Sequence, residues 1–156
     1  AFEIKGHYPG KRTIPVDDIT YQNMIIEKLE RVLPFKIKMK SLSFPFQLCL
    51  AGEETTLHLD PSDWTGVLYL TPNAPIDSGT LLFKEDVELI KRIKEGQGEY
   101  EKYGYTSAEV MSSLGNVYNR LVLFRGCDIP HRSNRSGFGD CVENGRLTQV
   151  FFFDEV

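Results

Sequence analysis

The sequence predicts a mainly β domain that begins with a helix and carries a second helical segment near its middle. Three observations lead to this prediction. Apolar residues recur at helical spacing over residues 17–33 and switch to a spacing of two from Phe35 onward. Turn-forming residues such as Asn144-Gly145 separate several of the alternating segments. One stretch, residues 85–115, interrupts the alternation.

The leading helix is predicted over residues 17–33. Either Asp17 or Asp18 can cap its first turn, because an aspartate side chain accepts hydrogen bonds from the free amides there. Pro34 ends the helix, since proline disfavours the helical conformation in the residue before it. The apolar residues at helical spacing are Ile25, Leu29 and Val32.

The remaining segments alternate apolar and polar residues, which is typical of strands with one buried face. The first alternation runs over 35–50, where Phe35, Ile37 and Met39 alternate with lysines. Further strands are predicted at 55–60, 65–71, 79–84, 118–125 and 146–154.

The interruption at 85–115 reads as a short surface helix over 85–94 followed by a loop over 96–105. A β core with a leading helix and one small helical insertion indicates a double-stranded β-helix, or jelly roll, in the mainly β (α+β) class. We find no repeat or flexible linker, so we expect a single domain over residues 1–156 with its insertion at 84–117.

The composition is ordinary for a globular chain of 156 residues, and the formal net charge of −4 argues against a basic, nucleic-acid-binding face. No apolar run approaches the roughly 18 residues of a membrane span, and no signal-peptide core is present. We therefore expect a cytoplasmic protein with no nucleic-acid or membrane partner. The cysteines, odd in number and too few for a disulfide scaffold, fit a reducing compartment: Cys49, Cys127 and Cys141. The oligomeric state stays open.

The segment His58-Leu59-Asp60 contains the first candidate metal ligands. Side chains alternate between the two faces of a strand, so His58 and Asp60 point to one side, and Leu57 and Leu59 to the other. If the leucines pack against apolar neighbours, the polar pair faces a cavity. A buried aspartate is costly unless it is paired or binds a metal. The alternative interpretation is an exposed strand whose polar residues face water.

His131 is the candidate third ligand, since it follows the apolar strand predicted at 118–125 and the rigid Pro130. Two histidines and one carboxylate can cap one face of an octahedral metal, which is typical of non-haem Fe(II) oxygenases. The alternative is a structural histidine. Cys127 and Cys141 flank His131, but their spacing matches no zinc knuckle, and we interpret both as small hydrophobes.

Arg146 and Thr148 share one face of the strand predicted at 146–154. A guanidinium can bind a carboxylate through two parallel hydrogen bonds, and the threonine hydroxyl can donate a third. The pair therefore fits a dicarboxylate cosubstrate near a metal site. Taken alone, an arginine that opens a strand is usually a surface residue. The joint order is more specific: His-x-Asp, then a histidine, then Arg-x-Thr.

This order and spacing resemble those of the Fe(II)/2-oxoglutarate-dependent oxygenase superfamily. Three segments resemble uncharacterised bacterial and phage members: 119–126, His131 and 145–152. Three others are similar to prolyl-hydroxylase-like members: 58–60, 64–70 and 79–83. The resemblance covers about residues 44–153, with the insertion at 84–117 outside it.

The resemblance implies a function and a set of site residues. The implied iron ligands are His58, Asp60 and His131. The residues implied to bind the distal carboxylate of 2-oxoglutarate are Arg146 and Thr148, with Tyr69 adding a hydroxyl. The family chemistry uses O2 to convert 2-oxoglutarate to succinate and CO2 while it hydroxylates a C–H bond. We expect a small molecule or a peptide side chain as substrate, and ascorbate as a stimulant.

Two other functions stay open at this point. The first is a zinc-type hydrolase or lyase on a cupin-like barrel, in which the same ligands activate a water and a nearby general base is needed. The second is a non-catalytic jelly-roll binding module, in which the histidines are incidental. Only the oxygenase has a specific need for Arg146 and Thr148. We expect the substrate to enter past the mouth of the barrel. The candidate walls of this entrance are Trp64, the 73–78 turn and the 96–106 loop.

Overall fold

The computed structural model describes residues 1–6, 8–96 and 108–156. Within these ranges the two α-helices are α1 (Ile19–Val32) and α2 (Val87–Lys94), with a 3-10 turn at Ile76–Ser78. The strands, in chain order, are β1 (Ile4–Gly6), β2 (Tyr8–Arg12), β3 (Ile37–Met39), β4 (Phe46–Cys49), β5 (Trp64–Tyr69), β6 (Thr80–Phe83), β7 (Val110–Leu114), β8 (Leu121–Phe124), β9 (His131–Ser133) and β10 (Arg146–Glu155).

The described strands form two antiparallel sheets, so the predicted mainly β fold with two helices is confirmed. The larger sheet has the order β1-β2-β4-β10-β5-β8. Its long strand β10 pairs with β4 through residues 146–149 and with β3 through residues 153–155. The smaller sheet has the order β7-β6-β9. Strand β10 is therefore the centre of the larger sheet.

Helix α1 begins where the sequence predicts. The Asp18 side chain accepts hydrogen bonds from the amides of Thr20 and Tyr21, at 2.9 Å and 3.1 Å, and thereby caps the first turn. The helix covers the outer face of the larger sheet, where Leu29 packs against Phe151 and Phe153. Each such buried side chain contributes about 1.5–3 kcal/mol to stability.

Two further apolar clusters place the sheets relative to each other. One lies between the sheets and joins residues of both: Tyr69, Leu82, Val122 and Phe124. The other lies beneath α2 on the outer face of the smaller sheet, where Leu89 packs against Leu57, Leu81 and Phe83. The resulting layers are helix α1, the larger sheet, the smaller sheet and helix α2.

The strand predicted at 55–60 is wrong. Only His58 pairs there, through a single bridge to His131 of the smaller sheet. Two residues later the amide of Asp60 donates to the carbonyl of Gly126, beside β8 of the larger sheet, at 2.8 Å. A segment that passes from one sheet to the other in three residues cannot keep a ladder with either.

Other elements differ from the prediction in extent. The alternation over 35–50 divides into β3 and β4, and Phe44 between them has a φ of 74°. Strand β7 lies in the segment 84–117, which the sequence indicates as an insertion, and it pairs with β6. The loop predicted at 96–105 lies outside the described residues except for Gly96. In the described part of the chain, no helix has the length and apolar character needed to cross a membrane.

Candidate metal centre

The smaller sheet brings two histidines side by side. His58 and His131 are direct cross-strand partners, because each amide donates to the other's carbonyl, at 3.1 Å and 3.0 Å. Residues paired in this way project their side chains to the same face. The two imidazole rings accordingly lie 4.3 Å apart between centroids.

Backbone carbonyls orient both imidazoles in the same way. The Nδ1 of His58 lies 2.7 Å from the carbonyl oxygen of Thr56, and the Nδ1 of His131 lies 2.7 Å from that of Ile129. A carbonyl oxygen can only accept, so each Nδ1 carries the proton. A neutral imidazole protonated on Nδ1 presents the lone pair of Nε2. This is the arrangement that holds metal-binding histidines in proteins.

Asp60 completes the group from the larger sheet. Its Oδ2 accepts a hydrogen bond from the Thr65 hydroxyl at the start of β5, and its amide donates to Gly126. The same Oδ2 lies 3.0 Å from Nε2 of His131, and Oδ1 lies 3.5 Å from Nε2 of His58. One carboxylate therefore faces both imidazole nitrogens.

The three side chains have the spacing of a facial metal triad. Their donor atoms all lie within 4.8 Å of one another. Metal–ligand bonds of about 2.1 Å set at right angles place neighbouring donors about 3 Å apart. The observed separations of 3.0 Å and 3.5 Å from the carboxylate to the two nitrogens are close to that value. The donor set thus fits a dication with three protein ligands.

The charges of the group favour a bound cation. Burial would raise the pKa of Asp60, but the hydrogen bond and charge of His131 and the charge of His58 hold it below the ordinary value. Burial and the neighbouring charge of His131 lower the pKa of His58. Asp60 is therefore ionised near neutral pH, and its two oxygens face Nε2 of both imidazoles. A metal ion between these atoms would balance the negative charge of the carboxylate and bind the Nε2 lone pairs.

A cavity between the sheets contains the triad and opens to solvent. Its volume is about 80 Å³. His131 is buried and only 5 % of its side chain is exposed, whereas 41 % of the His58 side chain is exposed at the mouth. An apolar wall comes from the larger sheet: Val67, Phe124, Val150 and Phe152.

Arg146 lies in the same cavity, fully buried at the start of β10. Its guanidinium donates from Nε to the carbonyl of Ser78 at 2.8 Å and from an Nη to the carbonyl of Gly79 at 3.3 Å. Burial lowers the pKa of Arg146, and no described carboxylate pairs with it. Since an unpaired buried charge is costly, this guanidinium is suited to an anion that enters the cavity.

Thr148 and Tyr69 occupy different positions relative to the cavity. Thr148 lines the cavity two residues after Arg146, on the same face of β10. Its hydroxyl makes no hydrogen bond to any residue that the structure describes. Tyr69 is completely buried behind the wall, where its hydroxyl lies 2.6 Å from Oγ1 of Thr80. Thr80 itself lines the cavity, so Tyr69 reaches the cavity through Thr80.

Sequence reasoning missed several residues of this cavity. Thr65 could have been found, because the alternation in β5 places it on the same face as Tyr69. Thr80 lies near the start of the predicted strand 79–84, and alternation along that strand likewise indicates which face it shares. Arg12 and Gln47 also line the cavity, but Arg12 lies in a strand with no apolar alternation.

The interpretation of Trp64 as a cavity wall is wrong. Trp64 alternates with Thr65 along β5 and therefore faces α1, where its ring stacks on Phe153 and lies near Phe35. The 73–78 turn does not line the cavity, although Ser78 accepts from Arg146. Most of the 96–106 loop lies outside the described residues.

The chain was compared with protein-family models and with curated proteins. No family model matches it, and no curated protein matches it.

Proposed function

We propose that this protein is an Fe(II)- and 2-oxoglutarate-dependent oxygenase that hydroxylates a C–H bond. One observation supports the proposal above all others. A two-histidine, one-carboxylate group lines the same cavity as the buried guanidinium of Arg146, which pairs with no carboxylate that the structure describes. The first feature is typical of non-haem iron oxygenases, and the second suits the far carboxylate of a dicarboxylate cosubstrate.

The proposed fold is a jelly roll of the double-stranded β-helix type. The two antiparallel sheets face each other across the apolar cluster of Tyr69, Leu82, Val122 and Phe124. The two histidines at the smaller sheet meet Asp60 and the proposed anion-binding residues of the larger sheet in the space between. Such a barrel holds a metal and a small ligand within a rigid frame.

The donor atoms on this chain divide the work of binding iron. Nε2 of His58, Nε2 of His131 and one oxygen of Asp60 would hold the ion. The carbonyls of Thr56 and Ile129 keep both Nε2 lone pairs aimed inward. When bound, Fe(II) supplies the redox chemistry in which O2 oxidises 2-oxoglutarate to succinate and CO2 and adds one oxygen atom to the substrate. Three protein ligands leave three coordination positions free for this chemistry.

Arg146 and Thr148 would orient the cosubstrate. The guanidinium is fixed by the carbonyls of Ser78 and Gly79, and it would bind the distal carboxylate with the Thr148 hydroxyl as a further donor. Tyr69 would act through Thr80, whose hydroxyl it contacts. The apolar wall beside them limits water around the reacting groups.

The zinc hydrolase alternative lacks a residue that it needs. Asp60 is the sole carboxylate among the described residues that line the cavity. Because Asp60 serves as a ligand in either function, no second carboxylate remains there as a general base. A hydrolase also leaves the buried charge of Arg146 without a purpose.

The test is the production of succinate from 2-oxoglutarate. The purified protein with Fe(II), ascorbate and O2 should release succinate, and candidate small-molecule and peptide substrates should increase the rate. His131→Ala should abolish the activity because it removes a ligand, and Arg146→Gln should weaken 2-oxoglutarate binding. Lys36→Ala is the matched control, because it removes an exposed charge between α1 and β3. This variant should behave as the native protein.

Two results would contradict the proposal. One is succinate release by the native protein no faster than by His131→Ala with substrates supplied. The other is equal 2-oxoglutarate affinity in Arg146→Gln and Lys36→Ala, with both variants folded by circular dichroism.

A further inference from the structure

A second arginine, Arg12, lies at the mouth of the same cavity on strand β2. The strand approaches β4 closely at Gly10, which has a φ of +72° and whose hypothetical Cβ would lie 2.1 Å from the carbonyl oxygen of Leu48. A residue with a side chain does not fit there. Gly10 therefore allows β2 to lie against β4 and place Arg12 over the cavity.

The Arg12 guanidinium is held in a fixed position. Its Nε donates to Oε1 of Gln47 at 3.0 Å, and the Gln47 amide in turn donates to the carbonyl of Pro9 at 2.8 Å. The guanidinium carbon lies 3.8 Å from the centre of the Tyr8 ring and 5.7 Å from that of Phe152. These two aromatic rings and the hydrogen bond at Nε limit how the group can turn.

The outer nitrogens of Arg12 have no partner among the described residues. No described carboxylate forms an ion pair with the guanidinium, and its two Nη atoms make no hydrogen bond to the described part of the chain. Burial lowers the pKa of Arg12, while the charges of Tyr8 and Asp60 raise it. A guanidinium held at Nε, whose two Nη atoms bond no residue that the structure describes, presents the fork that binds an oxyanion.

The charges in the cavity leave Arg12 uncompensated once the proposed cofactors are bound. A dication and Arg146 bring three positive charges, and Asp60 and the 2-oxoglutarate dianion bring three negative ones. Arg132 also lines the cavity, where it donates to the carbonyls of Ser133 and Asn134. The guanidinium of Arg12 is therefore a positive charge beyond those that Asp60 and the cosubstrate balance, and Arg132 adds a further one.

We propose that Arg12 anchors the primary substrate by an anionic group with two or more equivalent oxygens, a carboxylate or a phosphate. The proposal rests on the oxygenase function in that it assigns the second anion to the substrate. It narrows the substrate class to acidic small molecules or peptides whose reacting C–H bond lies a short distance from the anionic group. Gln47 and Tyr8 are positioning residues for Arg12.

The test measures binding of simple anions to the Mn(II)-loaded protein, with and without saturating 2-oxoglutarate. The probes are N-acetylglycine as a carboxylate, its neutral amide N-acetylglycinamide, and inorganic phosphate. Binding of each probe is measured from the increase in its NMR relaxation rate near Mn(II). The variants are Arg12→Gln, Arg12→Lys and the control Lys11→Gln, whose exposed side chain is the neighbour on β2. Circular dichroism establishes that each variant folds.

We expect at least one anion to bind more tightly than the neutral amide does, both to the native protein and to Lys11→Gln, even with 2-oxoglutarate present. Arg12→Gln should weaken that binding about tenfold or more, because a hydrogen-bonded charge is lost, and should keep the native 2-oxoglutarate affinity. Arg12→Lys keeps the charge without the planar fork, so it should weaken the binding of the carboxylate more than the binding of phosphate. It also serves as the test variant if Arg12→Gln does not fold. The tighter of the two anions identifies the anionic group.

Three outcomes would overturn the proposal. They are anion binding no tighter than that of the amide, equal anion binding by Arg12→Gln and the native protein, and a loss of 2-oxoglutarate affinity in Arg12→Gln as large as the loss of anion affinity. If 2-oxoglutarate does not bind at all but an anion still binds in an Arg12-dependent way, the anion site stands and the oxygenase proposal fails.

Discussion

The carbonyl oxygens of Thr56 and Ile129 decide which nitrogen each imidazole presents to the cavity. Each oxygen lies two residues before its histidine and accepts from Nδ1, so the same local geometry occurs twice. The orientation that leaves Nε2 facing the cavity therefore follows from short-range backbone contacts. The carboxylate is oriented by a side chain instead, the hydroxyl of Thr65 five residues later in β5.

Thr65→Val should weaken metal binding while leaving the fold intact. Valine keeps the branched shape at a buried strand position but removes the hydrogen bond that orients Asp60. Loss of such a supporting contact typically lowers metal affinity about 10- to 100-fold. A metal titration by calorimetry measures the effect. Thr20→Val, at an exposed position of α1 outside the cavity lining, is the control. Equal affinities in the two variants would show that Thr65 does not orient the ligand.

The His58 imidazole should titrate below the ordinary histidine pKa of about 6.5 in the metal-free protein. Burial and the charge of His131 disfavour its protonated form. As pH falls below the ordinary value, the unfolded chain takes up a proton at His58 that the folded chain does not, so the free energy of unfolding decreases. NMR of the ring carbon follows the titration, and His58→Asn assigns the signal. A midpoint at or above the ordinary pKa would contradict this account.

Strand β10 links the two halves of the site because its two faces have different neighbours. Phe151 and Phe153 pack under α1, whereas Arg146 and Thr148 face the cavity. The sequence predicts this strand and its faces correctly, since its alternation runs over many residues. Long strands with one apolar face, such as β5 and β10, give a clear signal.

Short polar strands give no comparable signal. Strand β9 has the sequence His-Arg-Ser, and β2 contains Pro9 and Gly10, so neither shows alternation. Their pairing depends on partners far along the chain. For this reason the sequence predicts the three candidate ligands, which the structure brings within 4.8 Å of one another, better than their surroundings. It also leaves Arg12, which β2 places at the cavity mouth, without any signal.

Asp18→Ala should destabilise the protein by about 1 kcal/mol, because it removes the cap of the two first-turn amides of α1. For a chain of this size that corresponds to roughly 2–4 °C in Tm. Asp17→Ala is the matched control, since Asp17 is exposed and lies outside the helix. Thermal unfolding followed by circular dichroism compares them. If the two variants melt together, the cap does not contribute to stability.

The whole chain is acidic, with a formal charge of −4, yet the described residues that line its cavity include three arginines and a single carboxylate. A cationic cavity in an acidic protein attracts small anions while the outer surface repels large polyanions. This distribution agrees with the proposed dicarboxylate cosubstrate and the proposed acidic substrate.

The most direct test of the metal centre is the anaerobic titration of the Fe(II)-loaded protein with 2-oxoglutarate, followed by visible absorption. Chelation of a keto acid to Fe(II) produces a charge-transfer band that neither component shows alone. We expect the band to saturate at one 2-oxoglutarate per chain, to be absent in His131→Ala, and to require a higher 2-oxoglutarate concentration in Arg146→Gln. A protein that binds Fe(II) but gives no band, or a band that persists unchanged in His131→Ala, would contradict the account.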